Sequence, residues 1–143
     1  EEFDVDCFLL AGRFTLLEQE PLDVFLPHCV QKNVSIIIGG PYNSGLLANV
    51  ERRRATYDYQ PVDDERWDKA QKIRKVCESH GVDLRSAALQ YPLKHPAVAA
   101  VIPGVWKMEE LCANVELFSA DIPAAMWRDL EAAGLVRMDG LQI

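Results

Sequence analysis

Three features of the sequence predict an α/β fold built on parallel strands. Short apolar runs, rich in β-branched residues, lie at residues 4–10, 34–38 and 98–102. Such uninterrupted runs are typical of strands that are covered on both faces. Each run is followed closely by glycine, and segments with helical periodicity separate the runs. Strand, helix and strand at this spacing form units whose strands are joined in parallel by right-handed crossovers.

Composition excludes several classes of protein. The chain of 143 residues is long enough for one domain, which we expect to span residues 1–143. Its net charge of −7 would repel the phosphates of nucleic acids and of anionic membranes, so neither is an expected partner. The sequence has no long apolar run, and we do not expect its first residues, EEFDVD, to form a signal peptide. Its four cysteines lie far apart, so we interpret them as reduced core residues of a cytoplasmic protein.

The first two elements are predicted at residues 4–10 and from Pro21 onward. Proline suits the first turn of a helix, and an apolar stripe with helical spacing follows at Leu22, Phe25, Leu26 and Cys29. Pro27 is expected to kink this helix or to end its regular part. A strand at residues 34–38 comes next, and residues 49–60 are predicted to form an irregular polar loop.

Four more helices and one strand are predicted in the second half. A helix over residues 64–80 would be capped by Asp63 or Asp64 and ended by Gly81. Asp83 would cap a shorter helix over 84–91, before the third strand at 98–102. Apolar stripes predict the last two helices: Met108, Leu111, Cys112 and Val115 in one, and Met126, Leu130 and Ala133, capped by Asp121, in the other.

The stretch from residue 34 to 48, VSIIIGGPYNSGLLA, has the features of a ligand-binding turn. Its β-branched run leads directly into Gly39, Gly40 and the polar segment that follows. Adjacent glycines let the backbone turn sharply and let a ligand approach closely. Ligands of parallel α/β folds bind at this carboxyl end of the strands. An ordinary turn between a strand and a loop has the same composition, so both interpretations stay open.

Four motifs, in order along the chain, resemble the aldo-keto reductase family. They are FLLAGRFTLLEQ, VSIIIGGPYNSGLLA, HGVDLRSAALQYPLKHPAVAAVIPG and the spacing from VIPG to Asn114. The resemblance covers essentially the whole chain and is nearest to the sugar-oxidising branch. It implies a TIM (β/α)8 barrel, of which this chain supplies strands six to eight with their helices. Such a barrel takes about 250 residues, so the fold is expected to be incomplete as given.

The resemblance also implies which half of an active site the chain carries. The family's catalytic Tyr, Lys, Asp and His come from the first half of the barrel, so no catalytic residue is assigned here. The isolated chain is therefore expected to be inactive. The family's cofactor is NAD or NADP. The matching positions that would hold it are Gly40, Pro41, Tyr42, Ser44, Gly104, Trp106, Glu110 and Asn114.

These positions divide between two parts of the cofactor. By resemblance, residues 40–44 pass over the pyrophosphate, where backbone N–H groups and a hydroxyl suit phosphate oxygens. Residues 104–106, Glu110 and Asn114 match the stretch that holds the adenosine end. The carboxylate of Glu110 would accept from ribose hydroxyls and repel a 2′-phosphate, which favours NAD over NADP. Asn114 can both donate to and accept from adenine, although a solvated helix face would show the same two residues. At Gly39 the family usually carries a large residue that stacks on the nicotinamide.

Other candidate residues have weaker signals. Arg13 either faces a substrate pocket or pairs with a nearby carboxylate. Arginines 52–54 could clamp a pyrophosphate, because guanidinium groups fit phosphate oxygens, or could simply be solvated. Cys77 and His80 are spaced like two metal ligands, but zinc needs three or four, so no metal site is predicted.

Two functions remain open at this point. The chain could be part of an NAD(P)-dependent oxidoreductase that oxidises an aldose or reduces an aldehyde, with a small sugar or aldehyde as its substrate. Alternatively, it could be a standalone nucleotide-binding or interaction module without redox activity. Three strands taken from a closed barrel leave two unpaired edges, so we expect the isolated chain to self-associate.

Overall fold

The fold is built on a small parallel sheet. The computed structural model describes residues 5–49, 51 and 55–142. Its strands are β1 (Cys7–Ala11), β2 (Ser35–Gly39), β3 (Thr56–Tyr57), β4 (Gln60–Pro61) and β5 (Val98–Ile102). Three of them form a parallel sheet in the order β1-β2-β5, which confirms the predicted parallel pairing. Ala11 lies opposite Gly39, and Gly39 lies opposite Ile102, so the carboxyl ends of the three strands are level.

The described part of the chain contains five α-helices. They are α1 (Phe25–Lys32), α2 (Asp64–Ser79), α3 (Leu84–Gln90), α4 (Met108–Phe118) and α5 (Ala124–Ala132). Two predicted caps are confirmed: Asp63 accepts a hydrogen bond from the backbone N–H of Arg66, and Asp83 accepts one from that of Arg85, both at 2.8 Å. Each satisfies an N–H group that the first helical turn leaves without an intrahelical partner. Gly81, with φ of +68°, follows the end of α2 as predicted.

The prediction for the first helix was wrong at its start. Pro21 lies in a short 3₁₀ turn, Glu20–Leu22, and α1 begins only at Phe25. Pro27 is consequently the third residue of α1, where the backbone nitrogen has no intrahelical acceptor and a proline costs no hydrogen bond. It therefore neither kinks nor ends the helix. Of the predicted stripe, Leu22, Leu26 and Cys29 are buried, and Phe25 is partly exposed.

The last helix and the long polar loop also differ from prediction. Helix α5 begins at Ala124 with Pro123 at the N-cap position, and no side chain caps it, so the cap assigned to Asp121 was wrong. Proline fits there because its fixed φ matches the extended backbone before a helix. Met126 and Leu130 are buried as predicted, but Ala133 is exposed. Within the loop, β3 and β4 pair as an antiparallel hairpin.

The core lies between the sheet and helices α1, α2, α3 and α5. Its largest fully buried side chains include Phe14, Tyr91 and Trp127. The ring centroids of Phe14 and Tyr91 lie 5.5 Å apart, and those of Tyr91 and Trp127 lie 6.1 Å apart. Tyr91 also donates a hydrogen bond to the carbonyl oxygen of Arg137 at 2.6 Å. This buried phenol therefore joins the core to the segment that follows α5.

A second apolar surface stays uncovered within the described chain. Helix α4 has no buried residue, and its predicted stripe at Met108, Leu111, Cys112 and Val115 is exposed. Leu9 on β1 and Ile102 on β5 are also exposed, at 66% and 55%. The two outer strands each pair along one edge only among the described residues. This is the surface expected of a sheet and helix cut from a larger barrel.

The cysteines are only partly core residues. Cys29 and Cys77 are buried, as predicted, whereas Cys7 and Cys112 are exposed, so the prediction was wrong for those two. Cys7 begins the outer strand β1, and Cys112 lies on the uncovered face of α4. None of the described helices combines the length and the apolarity that crossing a bilayer would require.

Candidate functional site

A cleft of about 710 Å³ opens beyond the carboxyl ends of the three parallel strands. The turns after β1, β2 and β5 line its floor, and α4 and the tip of the β3–β4 hairpin line its walls. All eight residues predicted at the cofactor positions line this one cleft: Gly40, Pro41, Tyr42, Ser44, Gly104, Trp106, Glu110 and Asn114. The structure therefore brings together positions that lie up to 74 residues apart in the sequence, from residue 40 to residue 114.

The turn after β2 is held in a defined and unusual backbone conformation. Gly40 has φ of +60°, and Asn43 and Ser44 follow with φ of +47° and +56°. This left-handed region disfavours side chains with a Cβ, except those of asparagine and a few others. The side chain of Asn43 donates from Nδ2 to the carbonyl oxygen of Gly12 at 3.2 Å, and Thr56 Oγ1 donates to the carbonyl oxygen of Ser44 at 2.6 Å. The turn is thus tied on both sides.

Polar groups of this turn are left available to a ligand. Among the described residues, the backbone N–H groups of Tyr42 and Ser44 have no hydrogen-bond partner. Successive N–H groups around residues of positive φ form the concave donor arrangements that bind phosphate oxygens. The Oδ1 atom of Asn43 is buried and is also without a partner in the described chain. Because an unpaired buried acceptor is costly, a ligand group or an ordered water is needed to satisfy it.

A hydrogen bond crosses the cleft from the turn to α4. The hydroxyl of Tyr42 donates to Oδ1 of Asn114 at 2.7 Å, between groups that are partly buried. Burial raises the pKa of the Tyr42 hydroxyl to about 12, although the nearby charge of Arg85 opposes that shift. The hydroxyl therefore stays protonated, and remains a donor, throughout the neutral range.

Glu110 has a structural partner at the start of α4. Its Oε2 atom accepts a hydrogen bond from the backbone N–H of Trp106 at 2.8 Å. Lys107 is the N-cap of α4, so Glu110 is its third residue and satisfies a donor that precedes the helix. Trp106 itself is 96% exposed, at the mouth of the cleft. The carboxylate of Glu110 thus both fixes the turn after β5 and places negative charge at this end of the cleft.

Among the other residues that line the cleft, Asp58, Tyr59 and Arg85 carried no signal in the sequence. The guanidinium of Arg85 is engaged by the carboxylate of Asp83, with an Nη2 to Oδ2 distance of 2.6 Å. Asp58 and Tyr59, both with positive φ, form the two-residue tip of the hairpin. Adjacent positive-φ residues in a YDYQ segment do not stand out in a sequence, because they are not the usual Asn-Gly or Asp-Gly pair.

The remaining candidates have ordinary partners. Arg13 pairs with Asp58, with Nη2 3.2 Å from Oδ2, which agrees with the second of its two interpretations. The Nε2 atom of His80 lies 2.7 Å from Oδ2 of Asp129, and Cys77 is buried, which raises the pKa of its thiol to about 12. In the part of the chain that the structure describes, no three His, Cys, Asp or Glu residues cluster as metal ligands do. Arginines 52–54 lie outside the described residues.

Comparison with known sequences gives one consistent result. A model of the Aldo/keto reductase family matches residues 1–134. The chain is 38% identical over 136 residues to a D-threo-aldose 1-dehydrogenase of Pseudomonas sp, covering 94% of this chain and 41% of that protein. It is 36% identical over 136 residues to a pyridoxal 4-dehydrogenase of Microbacterium luteolum, covering 95% and 40% respectively. The chain thus spans about two fifths of the length of these relatives.

Solved structures show the same fold. An aldo-keto reductase of Bacillus halodurans in its apo form matches with a TM-score of 0.70 and 24% identity. The match covers 95% of this chain and 45% of that structure. The holo form of the same protein matches with a TM-score of 0.69 and 22% identity. At this level of identity the likeness concerns the fold alone, and it makes the described sheet and helices part of a barrel.

Proposed function

Because this chain belongs to the aldo/keto reductase family, we propose that it carries the nucleotide-binding half of an NAD-dependent dehydrogenase whose substrate is a small aldose or a related hydroxy-aldehyde. The observation that carries the proposal is the convergence of eight separately predicted residues on one cleft. That cleft lies at the carboxyl ends of parallel strands, which is where barrels of this kind bind their ligands.

The groups that line the cleft fit a dinucleotide. The N–H groups of Tyr42 and Ser44, which have no partner among the described residues, are donors suited to a pyrophosphate. Two of the α4 residues that line the cleft, Glu110 and Asn114, carry polar groups suited to ribose and adenine. When bound, the nicotinamide ring of the cofactor would accept the hydride from the substrate. We assign to this chain the binding and orientation of the cofactor, since the family resemblance implies that the catalytic Tyr, Lys, Asp and His come from the first half of the barrel.

We assign NAD in preference to NADP because of Glu110. A carboxylate at the adenosine end accepts hydrogen bonds from ribose hydroxyls but repels a 2′-phosphate. The positive charge of Arg85 in the same cleft is already compensated by Asp83, with two hydrogen bonds from Nε and one from Nη2. We expect discrimination against NADP of about tenfold, the value of one charge-assisted hydrogen bond.

The names of the relatives support the choice of substrate class. One is named for an aldose and another for pyridoxal. Both compounds are aldehydes that carry a hydroxyl group placed to form a cyclic hemiacetal. We therefore assign this chain's full gene product to the oxidation of such hydroxy-aldehydes, or to the reverse reduction.

Activity of the full gene product tests this proposal. It should reduce NAD⁺ in the presence of L-fucose, L-galactose, D-arabinose or pyridoxal, and the same protein without substrate is the control. The 143-residue chain alone should show no turnover, because hydride transfer needs a proton donor or acceptor at the carbonyl. No turnover by the full product with any of these aldehydes would overturn the substrate assignment.

Binding titrations test the cofactor assignment separately. The full gene product should bind NAD⁺ about tenfold more tightly than NADP⁺. Glu110→Gln keeps an oxygen that can accept from Trp106 N–H and removes the charge, so it should narrow this ratio without unfolding the start of α4. Equal dissociation constants for NAD⁺ and NADP⁺ in the original protein would show that Glu110 only holds the start of α4. The same would follow if Glu110→Gln left the ratio of the two dissociation constants unchanged.

A further inference from the structure

The hydrogen bond from Tyr42 to Asn114 joins two parts of the cleft that are distant in the sequence. It connects the turn after β2 to α4, across 72 residues of sequence, at a distance of 2.7 Å. Helix α4 has no buried side chain. Among the described residues, Gln90 is a second polar anchor: its Nε2 donates to the carbonyl oxygens of Phe118, the last residue of α4, and of Ala120 just beyond it. Gln90 therefore holds the carboxyl end of α4, and Tyr42 holds the part that lines the cleft.

The bond also decides how the Asn114 carboxamide is oriented. An amide can rotate by half a turn and exchange its oxygen and its NH₂ group with little change in shape. The Tyr42 oxygen could also accept a hydrogen bond from Nδ2, but its own O–H would then have no acceptor among the described residues, so the orientation in which it donates to Oδ1 is favoured. In this structure the Tyr42 hydroxyl occupies one lone pair of Oδ1, while Nδ2 has no partner among the described residues. Nδ2 is thus left as a fixed donor beside the cleft, together with the second lone pair of Oδ1.

We propose that Tyr42 is a positioning residue for nucleotide recognition, which fixes the Asn114 carboxamide so that Nδ2 donates to a ring nitrogen of the adenine. The inference rests on the proposed function, and concerns the adenosine end of the ligand alone. A ring nitrogen of adenine accepts a hydrogen bond, so it pairs with an N–H group that points at it. If the Asn114 amide could rotate freely, its oxygen would face that ring nitrogen part of the time, and the two acceptors could not pair. Tyr42 acts through Asn114 and does not itself contact the base.

A double-mutant cycle separates this role from a direct contact or a general structural effect. The probe is ADP-ribose, titrated calorimetrically into the full gene product, with NAD⁺ measured alongside it. Tyr42→Phe should raise the Kd of both ligands by the same factor, about 3- to 10-fold. Asn114→Ala should raise the Kd about tenfold. With Asn114 absent, Tyr42→Phe should have no further effect, because the group that it orients is gone.

Two controls make the outcomes decisive. Tyr91→Phe removes another tyrosine hydroxyl that is hydrogen-bonded at 2.6 Å, but far from the cleft, and should leave the Kd unchanged. If Asn114→Ala does not fold, Asn114→Asp keeps an acceptor for Tyr42 and removes the donor, and should weaken binding while Tyr42 stays in place. Additive effects of Tyr42→Phe and Asn114→Ala, or no effect of Tyr42→Phe on the Kd, would overturn the inference. An original protein that binds neither NAD⁺ nor ADP-ribose would overturn the proposed function and this inference with it.

Discussion

Arg13 and Asp58 join the end of the first strand to the tip of the hairpin, with Nη2 of Arg13 3.2 Å from Oδ2 of Asp58. Beside them the hydroxyl of Tyr57 donates to Oε1 of Glu18 at 2.7 Å, and the guanidinium of Arg66 lies 4.3 Å from the centre of the Tyr57 ring. The hairpin tip lines the cleft. These contacts therefore set the position of one wall of the candidate site.

Removing the Tyr57 hydroxyl should loosen the hairpin measurably. Tyr57→Phe keeps the ring that Arg66 covers and loses the hydrogen bond to Glu18, so we expect the free energy of unfolding to fall by about 0.5–1.5 kcal/mol. Urea denaturation measures this change. Tyr59→Phe is the matched control, because Tyr59 is 89% exposed, and it should leave the midpoint unchanged. Equal losses from both variants would contradict the assigned role of the Tyr57 hydroxyl.

The two leucines Leu130 and Leu111 should respond very differently to truncation. Leu130 is completely buried in α5, so Leu130→Ala should lower the free energy of unfolding by about 2–5 kcal/mol. Leu111 on α4 is 45% exposed, so Leu111→Ala should cost the isolated chain much less. The same two variants should also be measured in the full gene product. A larger loss of unfolding free energy for Leu111→Ala in the full product than in the isolated chain would show that the remainder of the protein covers α4. An equally small loss would show that it does not.

The sequence predicted the elements that depend on local chemistry. The cap of α2 was predicted to be Asp63 or Asp64 and is Asp63, and the cap of α3 is Asp83 as predicted; both lie next to strong helical periodicity. The strand Val98–Ile102 is an unbroken apolar run and was predicted with the same bounds. The start of α1 was misassigned because Pro21 suits a 3₁₀ turn as well as the first turn of an α-helix. The apolar stripe of α4 predicted a face correctly but could not show that the face is uncovered in the described chain. Burial depends on which other elements are present.

In the candidate site too, the features that depend on local sequence were predicted and those that depend on tertiary packing were not. The glycine and proline turns at the strand ends were visible in the sequence, and they line the cleft. Arg85 was missed because its contact with the cleft depends on how α3 packs beside α4, which no local pattern reports. The bond between Tyr42 and Asn114 was missed for the same reason, since it joins residues that are 72 positions apart.

The protein should lose stability in mild acid through His95. This imidazole is buried, its Nδ1 accepts the backbone N–H of Ala97 at 3.2 Å, and burial lowers its pKa from 6.5. The unfolded chain therefore binds a proton at a higher pH than the folded one does. The stability that comes from keeping His95 neutral and buried is complete above about pH 6.5. It is lost as the pH falls through and below that value, because the unfolded chain then gains a proton that the folded chain does not. The midpoint temperature of thermal unfolding should depend less on pH in His95→Gln than in the original protein. The same pH dependence in both proteins would exclude His95 as the cause.

The isolated chain should associate with itself. Strands β1 and β5 each have one unpaired edge among the described residues, next to the exposed side chains of Leu9 and Ile102. Unpaired edges beside apolar surface recruit further strands. Light scattering at micromolar concentration should therefore report a dimer or a larger assembly, and Leu9→Lys should shift it toward the monomer. A monodisperse monomer before any substitution would contradict this expectation.

Hydrogen exchange with and without cofactor tests most directly whether the cleft beyond β1, β2 and β5 is the nucleotide site. In the full gene product, saturating NAD⁺ should slow backbone amide exchange in two separate segments, residues 40–45 and 104–114, because residues of both segments line the cleft. Helix α5 (Ala124–Ala132), which does not line the cleft, serves as the internal reference and should be unaffected. Unchanged exchange in both segments at saturation, or protection confined to α5, would contradict the account.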